Sequence, residues 1–396
     1  MSLSKNLRGT LAATAATGIG AAIYGLTHAH AYTVRHRTLY MPTERVYNVT
    51  PTALCVASDN TQKREANRDS KASQLTLPPQ NQHAPSAQLR ILHISDAHAL
   101  ARHRNRFEFI ASLAAYEPDL IVITGDMFAH SSALSPLRAA LAPLADIPGV
   151  FVCGSNDYYA PKLKNPFQYL LGPSSRKMVQ KSESTPPPKP KARPLPWQDL
   201  VQIYEDFGWV NLTNTRAMLP VAGWECHFVG VDDPHIRRDV FPIPHGDKPV
   251  PDLHCASETS VLSLHPQLRI GLTHAPYLRI LDEMARDNCD LVFAGHTHGG
   301  QVCLPGKHLV SNCDIDPQLA AGLFHWPATT SAESPLRDGQ LRHTRHGLTE
   351  LIAKDGAAQA NDDMWVQVSA GIGTTTYAPV RTFCPPEAII LDLIVQ

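Results

Sequence analysis

Five short apolar runs in this chain each lead into residues that can bind a cation or move a proton. LRILHIS runs into Asp96 and His98, DLIVITG into Asp126, and GVFVCG into Ser155, Asn156 and Asp157. LRIGLTH ends in His274, and DLVFAG is followed by His296 and His298. Taken singly, each has an ordinary explanation: an Asp after a strand is most often a turn or helix cap, and a lone His is most often a packed or solvated side chain. Taken together, an Asp-x-His pair, a His-x-His pair and further donors at successive strand ends point to metal. The donors mix oxygen and nitrogen, which suits Mn, Fe, Zn or Co better than Ca or Mg. The candidate set is Asp96, His98, Asp126, Asn156, His274, His296 and His298. It exceeds the needs of one tetrahedral ion and suits two divalent ions sharing a carboxylate, roughly 3.5–4 Å apart. Such a pair activates a water and clamps the oxygens of an in-line displacement at phosphorus. The glycines of GHTHGGQ allow close backbone approach and positive φ.

These donors need strands to carry them. The runs at 89–95, 119–125, 149–154, 226–231, 268–274, 290–295, 365–371 and 388–395 read as buried strands. Helical patterns separate several of them, at 104–116, 135–147 and 276–288; in the first, Phe107, Ile110, Leu113 and Ala114 share a face. Alternation of strand and helix predicts an α/β fold with its site at the carboxyl ends of the strands. No internal repeat is present.

The set DAH, GD, GSND, TH and GHTHGGQ resembles the calcineurin-like metallophosphoesterase superfamily in order and spacing from about Leu89 to Gly300. The tail SAGIGTTTYAPVRTFCPPEAIILDL resembles the closing segment of a bacterial branch. The resemblance implies a four-layer α/β/β/α sandwich of two mixed sheets, and hydrolysis of a phosphomonoester or, as preferred here, a phosphodiester by metal-bound hydroxide. It implies one ion on Asp96, His98 and His298, a second on His274, His296 and an Asn, and Asp126 bridging both.

The third loop departs from the pattern. The family reads Gly-Asn-His-Asp or Gly-Asn-His-Glu, where Asn binds metal and His assists the phosphate or the leaving group. Here the text is Gly154-Ser155-Asn156-Asp157. Without a shift, Ser155 takes the ligand's place; with a one-residue slip, Asn156 is the ligand and Asp157 stands where His would be. The slip is preferred, because an amide carbonyl is a better ligand than a neutral hydroxyl. In either register the family histidine is missing. Asp157, His235 and Arg381 are the candidates for its catalytic role, and Asp232 and Asp233 are candidates for orienting a ligand histidine. The alternative is a metal-binding protein of the same fold with weak catalysis. A single-zinc hydrolase acting on other bonds is disfavoured, since there is no HExxH helix.

The chain of 396 residues carries 35 Lys and Arg against 36 Asp and Glu, with no basic excess of the kind that nucleic-acid binding requires. Its 8 cysteines form no CxxC pair and read as buried, reduced thiols. The expected organisation is an N-terminal helix within residues 1–40, a flexible linker at 57–88, and a phosphoesterase domain at 89–396. Proline-rich disordered insertions are expected near 172–196 and 326–347. The uncharged run Leu11–Leu26 is short for a membrane span. It predicts first a packed or membrane-touching helix, then a membrane anchor, then a cleaved signal, on a cytoplasmic protein; the family resemblance implies nucleotide- or lipid-linked phosphoesters as substrate classes.

Overall fold

Strands that are apolar on both faces must be covered on both faces, and that requirement organises this molecule. The computed structural model describes residues 20, 23–46, 88–161, 193–243, 266–326, 339–343, 349–353 and 364–396. Its strands are β1 (Thr33–Met41), β2 (Gln88–Ile94), β3 (Leu120–Ile123), β4 (Gly149–Phe151), β5 (Val210–Asn211), β6 (Thr215–Val221) and β7 (Trp224–Gly230). They continue with β8 (Gln267–Leu272), β9 (Leu291–Ala294), β10 (Gly322–Trp326), β11 (Gly339–His343), β12 (Thr349–Ala353), β13 (Met364–Val368) and β14 (Glu387–Val395). One sheet has the order β11-β12-β1-β14-β2-β3-β4-β5 and the other β10-β13-β9-β8-β7-β6. Both are mixed: β2, β3 and β4 run parallel while β14 runs antiparallel to β2, and β7, β8 and β9 run parallel while β6 and β10 run antiparallel to their neighbours.

Strand alternation sends successive residues to two different cores. Ile91, Val122 and Val150 meet Phe228, Ile270 and Phe293 between the sheets. Leu92, Ile121 and Phe151 face outward against Phe107, Ile110, Leu137 and Leu141, which belong to helices α1 (Arg104–Ser112) and α2 (Leu134–Leu141). On the far side, Val229, Val292 and Val366 pack on Ile280, Leu281 and Met284 of a later helix, Leu278–Arg286. Each fully buried Leu or Ile contributes about 1.5–3 kcal/mol. The result is the four-layer α/β/β/α sandwich.

Two sequence expectations are corrected. Residues 33–41 are not part of an N-terminal helix; they form β1, paired with β14 from Thr33 to Met41, while residues 23–28 are helical. The buried ion pair of Arg35 with Glu387 anchors this pairing. The insertion expected at 326–347 includes a strand, since 339–343 pairs antiparallel with 349–353. Its polar side chains hid it, because a ladder needs only backbone. Residues 57–87 and most of 172–196 lie outside the described residues, as does most of Leu11–Leu26. No described helix is long and apolar enough to cross a membrane. The described cysteines are free and buried.

Candidate metal centre

The pairing of β2 with β3 continues beyond the last strand residues. Asp96 N–H donates to the Gly125 carbonyl at 2.9 Å, and His98 N–H to the Asp126 carbonyl at 2.9 Å. These bonds hold the two loops side by side. The backbone at Asp96, His98, Asp126, His296 and His298 has φ of 51°, 40°, 56°, 70° and 51°. A left-handed non-glycine residue costs roughly 1–3 kcal/mol, so the loops hold strain at the very residues that supply donors. Gly154 must lack a side chain: a Cβ there would lie 2.6 Å from His274 Cε1 and against the Asp126 carboxylate.

The donors converge in two groups. His98 Nε2 and His298 Nε2 face each other at 3.0 Å, with Asp96 Oδ1 at 3.9 and 3.7 Å from them. His274 Nε2 and His296 Nδ1 lie 3.3 Å apart. Asp126 stands between the groups, its Oδ2 at 3.4 Å from His98 Nε2 and its Oδ1 at 3.5 Å from His274 Nε2. All six side chains are buried.

The surrounding hydrogen bonds turn lone pairs inward. His274 Nδ1 donates to the Thr124 carbonyl at 2.6 Å, and His296 Nε2 lies 3.3 Å from the Asn312 carbonyl. A backbone hydrogen bond with Gly373 holds His298. Each leaves the other ring nitrogen free to bind a cation. Asp96 Oδ2 accepts from Ser95 Oγ and from His296 N at 2.9 Å, whereas buried Oδ1 has no hydrogen-bond partner. A carboxylate oxygen left bare among imidazole nitrogens is what a cation site requires, and the donor set fits divalent transition metals.

Electrostatics agree for every donor but His274, which must lose a proton before it can bind a cation. Burial lowers His98 to about 4 and, with neighbouring cations, holds His296 and His298 well below the usual imidazole range, so these rings are neutral. Burial works to raise the Asp126 carboxyl, but His274 and His98 override it and hold it well below the carboxylate range. Burial likewise opposes the charge on His274, yet Asp126 and Asp233 raise it well above 6.5. Burial pushes Asp96 up to about 6. Ligands bind deprotonated, so metal affinity should fall as the pH drops through about 6, where Asp96 gains a proton. Calorimetric titrations with Mn²⁺ at pH 7.5 and 5.5 measure this, and the uptake should release protons at the higher pH.

The third loop opens the short helix Ser155–Tyr158. Asn156 N and Nδ2 donate to the two oxygens of Asp126 at 2.7 and 2.6 Å, so the Asn156 amide sits beside the cluster. Asp157 turns away from it. Its carboxylate accepts from the backbone N–H of Asp126, Met127 and Gly154 at 2.8, 2.8 and 2.9 Å. Arg381 is also committed elsewhere. Fully buried, it donates to the carbonyls of Ala370 at 2.6 Å, Gly371 at 3.2 Å and His298 at 3.3 Å. Both residues brace the ligand loops from behind. His235 is placed differently: its ring is 4.3 Å from the His296 ring, and its Nδ1 lies 3.0 Å from the Tyr277 hydroxyl. Buried Asp233 accepts from His235 N and is raised to about 7 by burial, while Asp232 binds Tyr158 and Arg238 instead.

Residues 89–300 match the profile of the calcineurin-like phosphoesterases. The chain belongs to the calcineurin-like phosphoesterase family. Members of this family are metal-dependent phosphoesterases, and the clusters Asp96–His98–His298 and Asp96–Asp126–His274 supply candidate ligands for the ions. The chain is similar to the Bos taurus "Transmembrane protein with metallophosphoesterase domain", 27% identical over 220 residues, 54% of this chain and 41% of the relative. It thus spans less than half of that relative's length. It is also similar to "Uncharacterized metallophosphoesterase YkoQ" of Bacillus subtilis (strain 168), 25% identical over 249 residues, 61% of this chain and 73% of that one. Among solved structures it matches the purple acid phosphatase PPD1 of yellow lupin (Lupinus luteus) seeds at 8% identity and a TM-score of 0.28, covering 74% of this chain and 57% of that one.

The residues that support the donors carry weaker sequence signals. Ser95 and Thr124, with Thr124 Oγ1 donating to Ser95 Oγ at 2.7 Å, underlie Asp96, and Asn312 holds His296. Two of them carried a signal: a hydroxyl among the apolar residues of LRILHIS and of DLIVITG.

Proposed function

We propose that this phosphoesterase hydrolyses phosphodiesters at a pair of divalent ions. The observation that carries the reading is Asp126, whose two oxygens face two separate histidine groups at 3.4 and 3.5 Å. Asp96, His98 and His298 would hold one ion, and His274, His296 and Asn156 the other, with Asp126 shared. Half a turn of the Asn156 amide exchanges its Nδ2 for its Oδ1 and supplies the carbonyl donor. The ions supply Lewis-acid polarisation of the phosphoryl group and a water acidified for attack.

The chain's own residues set the rest. Asp157 and the Gly154 turn fix Asp126, Ser95 fixes Asp96, and Thr124 fixes His274. Arg381, bound to backbone carbonyls, does not offset a second phosphate charge, which favours a diester monoanion over a monoester dianion. His235, packed on His296 at the half-buried edge of the cluster, is the group we assign to protonating the leaving oxygen in place of the family histidine. Ile23, Tyr24 and Leu26, at the end of the uncharged N-terminal run, are exposed; they support a membrane-surface setting and a lipid- or nucleotide-linked diester.

Electron paramagnetic resonance of Mn²⁺-loaded protein tests the pair: two equivalents should give an exchange-coupled spectrum, and isolated-ion signals at saturation would refute it. Bis-p-nitrophenyl phosphate should be turned over faster than p-nitrophenyl phosphate. A second reading, a metal-binding protein with weak catalysis, is favoured by one observation, the absence of a histidine after Asn156. His235→Ala separates the two. It should lower kcat by about 10²-fold on alkyl diesters, and little on nitrophenyl esters, whose leaving group needs no proton. Equal rates for wild type and variant on alkyl diesters would remove His235 from the mechanism.

A further inference from the structure

Behind the His-x-His-Gly-Gly turn lies a second group of metal-binding side chains that the phosphoesterase chemistry does not use. Cys303, His308 and Cys384 are 4%, 3% and 4% exposed, and their ligand atoms all lie within 4.8 Å of one another. Cys303 Sγ is 3.5 Å from His308 Nδ1. With metal–sulfur and metal–nitrogen bonds of about 2.3 and 2.0–2.1 Å, sulfur and nitrogen on one tetrahedral ion are separated by about 3.5 Å. Cys303 Sγ and His308 Nδ1 both donate to the Gly299 carbonyl, the thiol at 3.0 Å, while His308 Nε2 is buried without a partner; an ion would displace both hydrogens, the ring proton passing to Nε2. The donors come from the turn at Gly299, the segment after it and the C-terminal segment, which are held at one place by the fold and not by a local sequence motif. Gly299, with φ +59°, leaves room for the Cys384 sulfur, which a Cβ at that position would approach to 2.5 Å.

We infer that Cys303, His308 and Cys384 form a structural site for a soft divalent cation of the zinc class, separate from the oxygen- and nitrogen-rich pair. Thiolate and imidazole donors select zinc among abundant divalent ions. Binding exchanges two S–H bonds for two sulfur–metal bonds and releases two protons to solvent; the two thiolates balance the dication, and nothing is oxidised or reduced. The Arg381 guanidinium, 3.7 Å from Cys384 Sγ, favours the thiolate. The ion would tie the segment after Gly299 to the C-terminal segment at the back of His298, whose carbonyl lies 3.6 Å from Cys384 Sγ. It would therefore brace a ligand loop without touching substrate.

Full-length protein, expressed with zinc and dialysed, should retain one more equivalent of zinc than Cys384→Ser. Cobalt-loaded wild type should show thiolate-to-cobalt charge-transfer absorption in the near ultraviolet, which Asp96, Asp126 and the catalytic histidines cannot produce. That band should persist in Asp126→Asn and vanish in Cys303→Ser. If the cysteine variants do not fold, the wild-type cobalt spectrum decides alone. Absence of the band from cobalt-saturated wild type would overturn the site. Equal zinc in wild type and folded Cys384→Ser would do the same, as would a Cys303–Cys384 disulfide in the protein as isolated.

Discussion

Asp126→Asn is expected to lose bound metal and to lower kcat/KM on bis-p-nitrophenyl phosphate by about 10³-fold or more. The two Asp126 oxygens point to different histidine groups, and both are needed if one carboxylate serves two ions. An amide keeps the shape but offers one oxygen, and presents an N–H₂ donor where the other ion's ligand should be. Asparagine tolerates the left-handed φ of 56° at this position, so the variant should fold and the loss should report the site itself. Elemental analysis and turnover on the same sample measure it. A metal-free Asp126→Asn protein with wild-type turnover would sink the proposed function.

The second large effect concerns Arg381. Arg381→Ala should lower unfolding stability by roughly 3–5 kcal/mol and weaken metal binding by about 10–100-fold. The carbonyls of Ala370, Gly371 and His298 would lose their donor in a place closed to water, and the Gly373 loop that holds His298 would loosen. Urea denaturation and metal titration measure the two losses. A substrate-binding arginine would behave in the opposite way: KM would rise while the denaturation midpoint stayed put. Asp157 belongs with Arg381. It stands at the family histidine's place in the slipped register, yet its carboxylate holds three backbone N–H groups and faces no open space in the cluster.

The strands that carry the candidate metal centre were legible because they are buried on both faces and so read as unbroken apolar runs. LRILHIS, DLIVITG, GVFVCG, LRIGLTH and DLVFAG each became a strand with its donors just beyond the end. Strands at the sheet margins were not legible. β1 carries Arg35, His36 and Arg37 among its apolar residues, and its pairing with β14, some 350 positions away in the chain, is a matter of backbone hydrogen bonds. β11 and β12 likewise pair through the backbone beside β1. The helix Trp197–Asp206 directly follows the proline-rich run, and that composition obscured it.

The order and type of the candidate donors were a property of the chain alone: DAH, GD, GSND, TH and GHTHGGQ supply a mixed oxygen–nitrogen donor set. Which atoms face inward, and which candidates act from behind, was decided only by the tertiary structure. Residue type says that a histidine has two nitrogens and an aspartate two oxygens. Only the packed neighbours, Thr124 on His274, Ser95 on Asp96, the backbone N–H groups on Asp157 and the carbonyls on Arg381, determine which of those atoms remain free. The same reason kept Cys303, His308 and Cys384 apart in the sequence reading, since their meeting depends on a turn at Gly299 that no local spacing encodes.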